Sequence, residues 1–169
     1  MNSRALLSGR ARVFGDHVDT DVIIPARHCA TLDVAELGRH AMEGLDPEFS
    51  SRVGRGDVVV AGRNFGCGSS RETAPLALLG AGVGAVVAVS FARIFFRNAL
   101  NVGLPIFECP DGVAACAEGD LLEIDPSAGT LTHSGTGRIF RLPPYPQELI
   151  RIVDAGGLVP YVRRRLGLD

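Results

Sequence analysis

Short, strongly apolar runs alternate with amphipathic stretches through the middle of the chain. Residues 57–61, 84–89 and 104–107 are rich in valine and other apolar side chains and have the length of buried strands. Patterns typical of helices over 71–80 and 91–99 separate these three runs. Strands that alternate with helices predict a βαβαβ unit, and therefore an α/β fold with a parallel central sheet.

Weaker patterns flank this unit. We expect a short strand at 11–14 and a helix over 34–43. Within the unit, we expect Ser90 to cap the helix over 91–99. Between Gly119 and Leu142, three short apolar runs are broken by Asp-Pro, Ser-Gly and Thr-Gly turns, which predicts a β-meander. An amphipathic helix follows from Pro146.

Composition excludes several classes of function. The chain has 169 residues, enough for one domain with a sizeable core, and its net charge of −2 gives no basic surface for a nucleic acid or a membrane. Residues 163–165 are three arginines, expected at a solvated helix end. No apolar stretch reaches the roughly 18 residues of a membrane span, and the apolar patch within residues 1–7 is too short for a secretory signal. The expected location is cytoplasmic.

The most informative stretch is the glycine-rich segment 62–72, Gly-Arg-Asn-Phe-Gly-Cys-Gly-Ser-Ser-Arg-Glu. It joins a buried strand to a predicted helix, so free N–H groups and the helix dipole favour a bound anion. Arg71 adds a planar group that suits a carboxylate. Ser69 has a simpler competing explanation, because Ser69-x-x-Glu72 is also the pattern of a capping box.

Other reactive side chains give weaker signals. The cysteines (29, 67, 109 and 116) contain no C-x-x-C pair, and the four histidines complete no zinc pattern, so we expect no metal in this chain. Cys67 could be a nucleophile, although packing is the simpler explanation. The acidic loop Asp16, Asp19 and Asp21 could bind a cation, but turn capping is the stronger explanation for Asp16 and Asp19.

Long blocks of the sequence resemble the swivel domain, or small subunit, of the aconitase superfamily, in particular the archaeal-type small subunits of 3-isopropylmalate dehydratase and homoaconitase. The matching blocks fall in order at 19–27, 62–72, 90–105 and 155–161, so the resemblance spans about residues 11–161. It implies a single three-layer β/β/α swivelling domain over 1–169.

The resemblance also implies a mechanism. Members of this family isomerise a hydroxy acid by dehydration and rehydration, with a 4Fe-4S cluster in a separate large subunit acting on the substrate hydroxyl. By the same resemblance, Ser69 is the general base and Asp21 an active-site aspartate, while Gly68, Ser70 and Arg71 bind a substrate carboxylate. This chain alone should therefore hold no cofactor and be inactive.

Residues 27–31 (Arg27, His28, Cys29, Ala30 and Thr31) match the family's substrate-selecting loop but depart from its usual Tyr-Leu start. Ala30 cannot pair with a distal carboxylate, which favours an alkyl substituent as in isopropylmalate. A dehydratase for another alkylmalate of the 2,3-dimethylmalate type, or a homoaconitase, stays an alternative. A stand-alone anion-binding module is the alternative from a different functional class.

Overall fold

The computed structural model describes residues 6–168, so most of the N-terminal patch considered for a secretory signal lies outside the described residues. The strands are β1 Leu7–Val13, β2 Val58–Ala61, β3 Ala85–Ala88, β4 Ile106–Glu108, β5 Leu121–Asp125, β6 Thr130–His133 and β7 Arg138–Arg141. The α-helices are α1 Thr20–Ile23, α2 Val34–Gly38, α3 Phe49–Arg52, α4 Thr73–Ala81, α5 Arg93–Val102, α6 Pro110–Ala115, α7 Gln147–Asp154 and α8 Leu158–Leu166. A 3-10 turn covers Ala26–His28.

The described strands form one mixed sheet in the order β4-β3-β2-β1-β5-β6-β7. Strands β1 to β4 are parallel neighbours, and β5, β6 and β7 continue from β1 as antiparallel hairpins. The predicted βαβαβ unit is confirmed as β2-α4-β3-α5-β4, and the predicted β-meander as β5-β6-β7. Because parallel strands end at the same edge, the loops after β1, β2 and β3 meet at one edge of the sheet.

Two apolar cores lie on opposite faces of the parallel strands. Val59 and Val86 belong to the core beneath the helices. Val58, Val60 and Val87 belong to the second core, which the side chains of the meander complete. The sheet therefore curls over itself, and the layers are helices, parallel strands and meander, as the β/β/α prediction requires.

Three local expectations were wrong. Helix α2 ends at Gly38 rather than near residue 43, where its backbone crosses α4: a Cβ on Gly38 would lie 2.2 Å from the carbonyl carbon of Gly80. Ser90 does not cap the following helix, which begins at Arg93 after Ala92; its hydroxyl instead accepts the N–H of Asn64 at 2.9 Å. Helix α4 begins at Thr73, two residues later than expected.

The C-terminal end matches its expectation, because residues 163–165 lie in the last turn of α8 and are exposed. Across residues 6–168, no helix combines the length and the apolar character needed to cross a bilayer.

Candidate active site

The acidic loop after β1 docks onto the glycine-rich loop after β2. Asp19 and Cys67 form an isolated parallel bridge, and the N–H of Thr20 donates to the carbonyl of Cys67 at 2.8 Å. The buried hydroxyl of Thr20 donates to the carbonyl of Ser69 at 2.9 Å. The bond from Thr20 holds the backbone carbonyl of Ser69 and does not involve the Ser69 hydroxyl.

Gly68, Ser69 and Ser70 are exposed at the edge where the parallel strands end. Within the described part of the chain, the hydroxyl of Ser69 has no hydrogen-bond partner, and the six backbone N–H groups from Gly68 to Thr73 meet no acceptor. Gly68 allows this course of the backbone because its φ is +91°, in the left-handed region. Consecutive N–H groups without acceptors are available to an anion.

The capping-box prediction for Ser69 was wrong. Glu72 is the N-cap of α4 and makes no side-chain capping bond, and Ser69 lies four residues before the first helical residue. Pro75 is tolerated because it occupies the third position of the helix, where a backbone N–H has no intrahelical partner. The donors available to an anion therefore come mainly from the loop, not from the first helical turn.

Arg71 spans the two loops. Its Nη1 donates to Oδ1 of Asp21 at 2.7 Å and to the carbonyl of Ile24 at 3.2 Å. The hydrogen bond from Arg71 lowers the pKa of Asp21, and the N–H of Ala26 adds to this effect. Asp21 is largely exposed, so both charges lie beside the open N–H groups rather than in the core.

Of the other two carboxylates of the acidic loop, Asp19 confirms the turn-capping prediction, whereas Asp16 bonds a distant backbone N–H of the glycine-rich loop and the prediction for it was wrong. Asp19 Oδ1 accepts the N–H of Val22 at 2.9 Å and caps α1. Asp16 Oδ1 accepts the N–H of Arg63 at 2.7 Å. Each oxygen satisfies a backbone donor, which explains these residues without a bound cation.

Cys67 is half-buried, and burial together with the nearby Asp19 carboxylate raises the pKa of its thiol. A raised pKa keeps the thiol protonated at neutral pH, whereas a nucleophile needs the thiolate. The geometry therefore favours the packing explanation.

Two contacts of this edge were not singled out from the sequence. Thr20 holds the Ser69 backbone, as described above, and Asn98 of α5 places its Nδ2 3.4 Å from the Ser70 hydroxyl. In the sequence, a threonine between two aspartates was a usable signal for the contact of Thr20. The position of Asn98 depends on how α5 packs against the loop, which periodicity does not specify.

Residues 27–31 lie around the 3-10 turn and the bend that follows it. Cys29 faces inward: the Thr73 hydroxyl donates to its sulfur at 3.3 Å, which anchors the segment at the start of α4. Ala30 is exposed, and the Thr31 hydroxyl accepts the N–H of Asp33 at 3.0 Å. Arg27 forms an ion pair with Glu43, whose other oxygen lies 3.1 Å from Nε2 of His28.

The cysteines of this chain do not suit an iron–sulfur cluster. Within residues 6–168, no group of three cysteines comes within ligand distance of a common point, and Cys109 is buried in the core on the meander side of the sheet.

Comparisons with known proteins identify the class. Residues 42–110 match the family model of the aconitase C-terminal domain. The solved structure of 3-isopropylmalate dehydratase from Methanocaldococcus jannaschii superposes with a TM-score of 0.91 at 43% identity, and the match covers 97% of each chain.

Curated sequences narrow the class to one family. The 3-isopropylmalate dehydratase small subunit of Moorella thermoacetica is 50% identical over 161 residues, 95% of this chain and 97% of the relative. Small subunit 1 of the same enzyme from Methanopyrus kandleri is 51% identical over 161 residues, 95% of each chain. The chain belongs to the family of 3-isopropylmalate dehydratase small subunits.

Proposed function

We propose that this chain is the small subunit of a two-subunit hydro-lyase, a 3-isopropylmalate dehydratase that interconverts 2- and 3-isopropylmalate by dehydration and rehydration in leucine biosynthesis. The observation that carries the proposal is the exposed Ser69 hydroxyl beside six unpaired N–H groups and Arg71. Together they offer a base and an anion receptor on one open edge, where a second polypeptide can complete the site.

Each residue has a distinct role in this proposal. Ser69 removes the proton α to a carboxylate, and Ser70, Arg71 and the N–H of Gly68 bind that carboxylate as its negative charge grows. Asp21 orients Arg71 through the 2.7 Å hydrogen bond. A neutral serine hydroxyl cannot hold a second proton near neutral pH, so Ser69 must act as the alkoxide, which becomes the hydroxyl when it takes the α proton. The neighbouring unpaired N–H groups stabilise this alkoxide.

The complementary part of the site belongs to a large subunit. That subunit carries the 4Fe-4S cluster, which acts on the substrate hydroxyl as a Lewis acid. This chain contributes the base and the carboxylate receptor, and works in the cytoplasm as part of the assembled enzyme. The substrate is a small hydroxy-dicarboxylic acid.

Ala30 supports an alkyl-substituted substrate. Its methyl group is exposed, carries no charge and cannot pair with an additional carboxylate, whereas Arg27 is already paired with Glu43. A panel of isopropylmalate, 2,3-dimethylmalate and homoaconitate on the reconstituted enzyme separates the candidate substrates. Isopropylmalate should turn over fastest, and equal or faster turnover of either of the others contradicts this choice.

The role of Ser69 has its own test. Ser69→Ala should lower kcat by about a hundredfold or more in the complex, since removal of a general base costs that much. Ser134→Ala, at an exposed turn of the meander, is the matched control and should leave kcat unchanged. Activity of the chain alone, or full activity of Ser69→Ala, would contradict the proposal. Carboxylate binding by the chain without a partner and without turnover would favour the stand-alone binding module.

A further inference from the structure

A second polar cluster joins the 27–31 segment to the chain after α2. It consists of His28 at the end of the 3-10 turn and His40 and Glu43 in the chain after α2. Nδ1 of His40 lies 2.7 Å from Oε2 of Glu43, and Nε2 of His28 lies 3.1 Å from the same oxygen. One donor atom from each residue falls within 4.8 Å of the other two. The expectation that the histidines form no metal-binding pattern considered sequence spacing alone, and folding brings these two together.

The contact between His28 and Glu43 is incomplete as a hydrogen bond. Nε2 of His28 is buried and lies close to the carboxylate, but it is out of line for hydrogen bonding and has no other partner in the described chain. A buried ring nitrogen without an aligned partner costs free energy. An ion between this nitrogen and the carboxylate would give both of them a ligand bond.

We propose that His28, His40 and Glu43 bind a divalent transition-metal ion of the zinc class. Two imidazoles and one carboxylate form a donor set that suits Zn²⁺, with ligand bonds of about 2.0–2.2 Å. Two such ligands on a tetrahedral ion are about 3.4 Å apart, so the two nitrogen–oxygen separations of 2.7 and 3.1 Å would have to widen slightly. Water takes the fourth position, because the described chain offers three protein ligands here.

Arg27 completes the surroundings of this site. It pairs with Oε1 of Glu43, so Oε2 is left to face the two histidines. The ion pair with Arg27 therefore orients the carboxylate before any ion arrives, as outer partners of metal ligands commonly do.

Binding requires a defined rearrangement of the two rings. They are stacked, with centroids 3.6 Å apart and planes within 6° of parallel. Imidazole lone pairs lie in the ring plane, so both rings must tilt for their nitrogens to converge on one ion. Each is partly exposed, with side-chain exposures of 20% for His28 and 34% for His40, which leaves room for this tilt. His40 must also move its proton from Nδ1 to Nε2.

Occupancy would connect the proposed substrate-selecting segment 27–31, which contains His28, to the chain after α2. His28 directly precedes Cys29 and Ala30, while His40 and Glu43 belong to the chain after α2. An ion would therefore stabilise the position of the 27–31 segment relative to α2. This consequence needs only these residues and does not depend on the proposed enzymatic function.

Cobalt(II) provides a spectroscopic test on the full-length chain under reducing conditions. The purified protein should bind one Co²⁺ that Zn²⁺ displaces, with visible d–d bands and without the near-ultraviolet charge-transfer band of thiolate ligands. His40→Ala and Glu43→Gln should each raise the Kd at least about tenfold. His17→Ala, which removes an exposed histidine elsewhere, should bind as the unaltered chain does.

Circular dichroism and melting curves without metal check that the variants fold. Glu43→Gln keeps the size of the side chain and so remains informative if His40→Ala fails to fold. Unchanged affinity in folded Glu43→Gln would overturn the proposal, as would a thiolate charge-transfer band. Absence of binding to the unaltered protein at millimolar Co²⁺ and Zn²⁺ would also overturn it.

Discussion

The glycine-rich loop and the 27–31 segment lie close together and treat their polar groups in opposite ways. Six N–H groups from Gly68 to Thr73 and the Ser69 hydroxyl have no partner in the described chain. In the neighbouring segment, Arg27 pairs with Glu43 and Cys29 accepts from Thr73, and the exception is Nε2 of His28, which has no aligned partner. Polar groups that satisfy one another maintain a backbone shape, whereas open donors can accept a ligand. The contrast distinguishes a receptor from the structure that positions it.

Arg71 belongs to both categories. Its bonds to Asp21 and Ile24 tie the loops together, yet its position beside the open N–H groups suits a substrate carboxylate. A guanidinium has five N–H donors, so one face can be structural while another binds substrate. A lysine has a single charged nitrogen and cannot serve both purposes.

The largest effect on stability is expected from substitution of a glycine in the glycine-rich loop. Gly66 lies on the packed side of this loop and Gly68 on its open side. A Cβ on Gly66 would lie 2.1 Å from Cγ of Phe95, and φ there is +79°. Gly66→Ala should therefore destabilise the fold by ~3 kcal/mol, from overpacking and a left-handed backbone together. Gly68→Ala meets its nearest atom at 3.5 Å, so only the backbone cost of ~1 kcal/mol applies.

Denaturant unfolding of both alanine variants measures this difference. Equal losses in the two variants would mean that the loop does not have one packed and one open side.

Arg71→Lys tests the double role of the guanidinium. We expect kcat/KM of the reconstituted enzyme to fall about 30-fold, which corresponds to ~2 kcal/mol of transition-state stabilisation. Arg151→Lys, at an exposed position of α7, is the control and should keep full activity. Activity of Arg71→Lys within a factor of two of the unaltered enzyme would show that a point charge suffices there.

Thr20→Val probes the support beneath Ser69 with a side chain of nearly the same shape. Loss of the 2.9 Å bond to the Ser69 carbonyl should cost ~1 kcal/mol of stability and lower kcat several-fold. Thr20→Ser keeps the hydroxyl and should recover most of the lost kcat, which a purely packing role would not produce. The contrary result is a valine variant as active as the serine variant.

The sequence was sufficient for the alternation of strands and helices along the chain, because each buried run has strand length and each intervening run has helical character. The positions at which two helix backbones come into close contact could not be predicted in this way. Gly38 meets Gly80 where α2 crosses α4, and the chain then leaves the helix because Met42 has a φ of +59° and donates its N–H to the carbonyl of Ile23 at 2.7 Å. The late start of α4 has a similar origin, since Thr20 holds the Ser69 carbonyl and Asp21 holds the Arg71 side chain, while the N–H groups from Gly68 to Thr73 make no helical bonds.

For the proposed site, the motif singled out Ser69 and Arg71 as candidates, but it attributed the free N–H donors to a helical turn rather than to the loop before α4. A capping pattern specifies spacing, not backbone dihedrals, so it could not distinguish a helical turn from an extended loop with free N–H groups. The sequence motif also could not predict that His28 lies next to His40 and Glu43. Twelve residues separate the two histidines, and their contact depends on how the 3-10 turn packs beside α2.

Titration of Asp21 provides the finest test of the link between the two loops. Its lowered pKa means that the pair with Arg71 contributes its stabilisation above pH ~3.8, the ordinary value, and loses it as the pH falls through the lowered pKa. In Arg71→Met, the Asp21 carboxyl resonance in a ¹³C NMR titration should move its midpoint up toward 3.8. Asp120, lowered by the Ala117 N–H and then by His133, should titrate identically in both proteins. An unchanged Asp21 midpoint would show that Ala26 alone lowers it and that Arg71 is free for substrate.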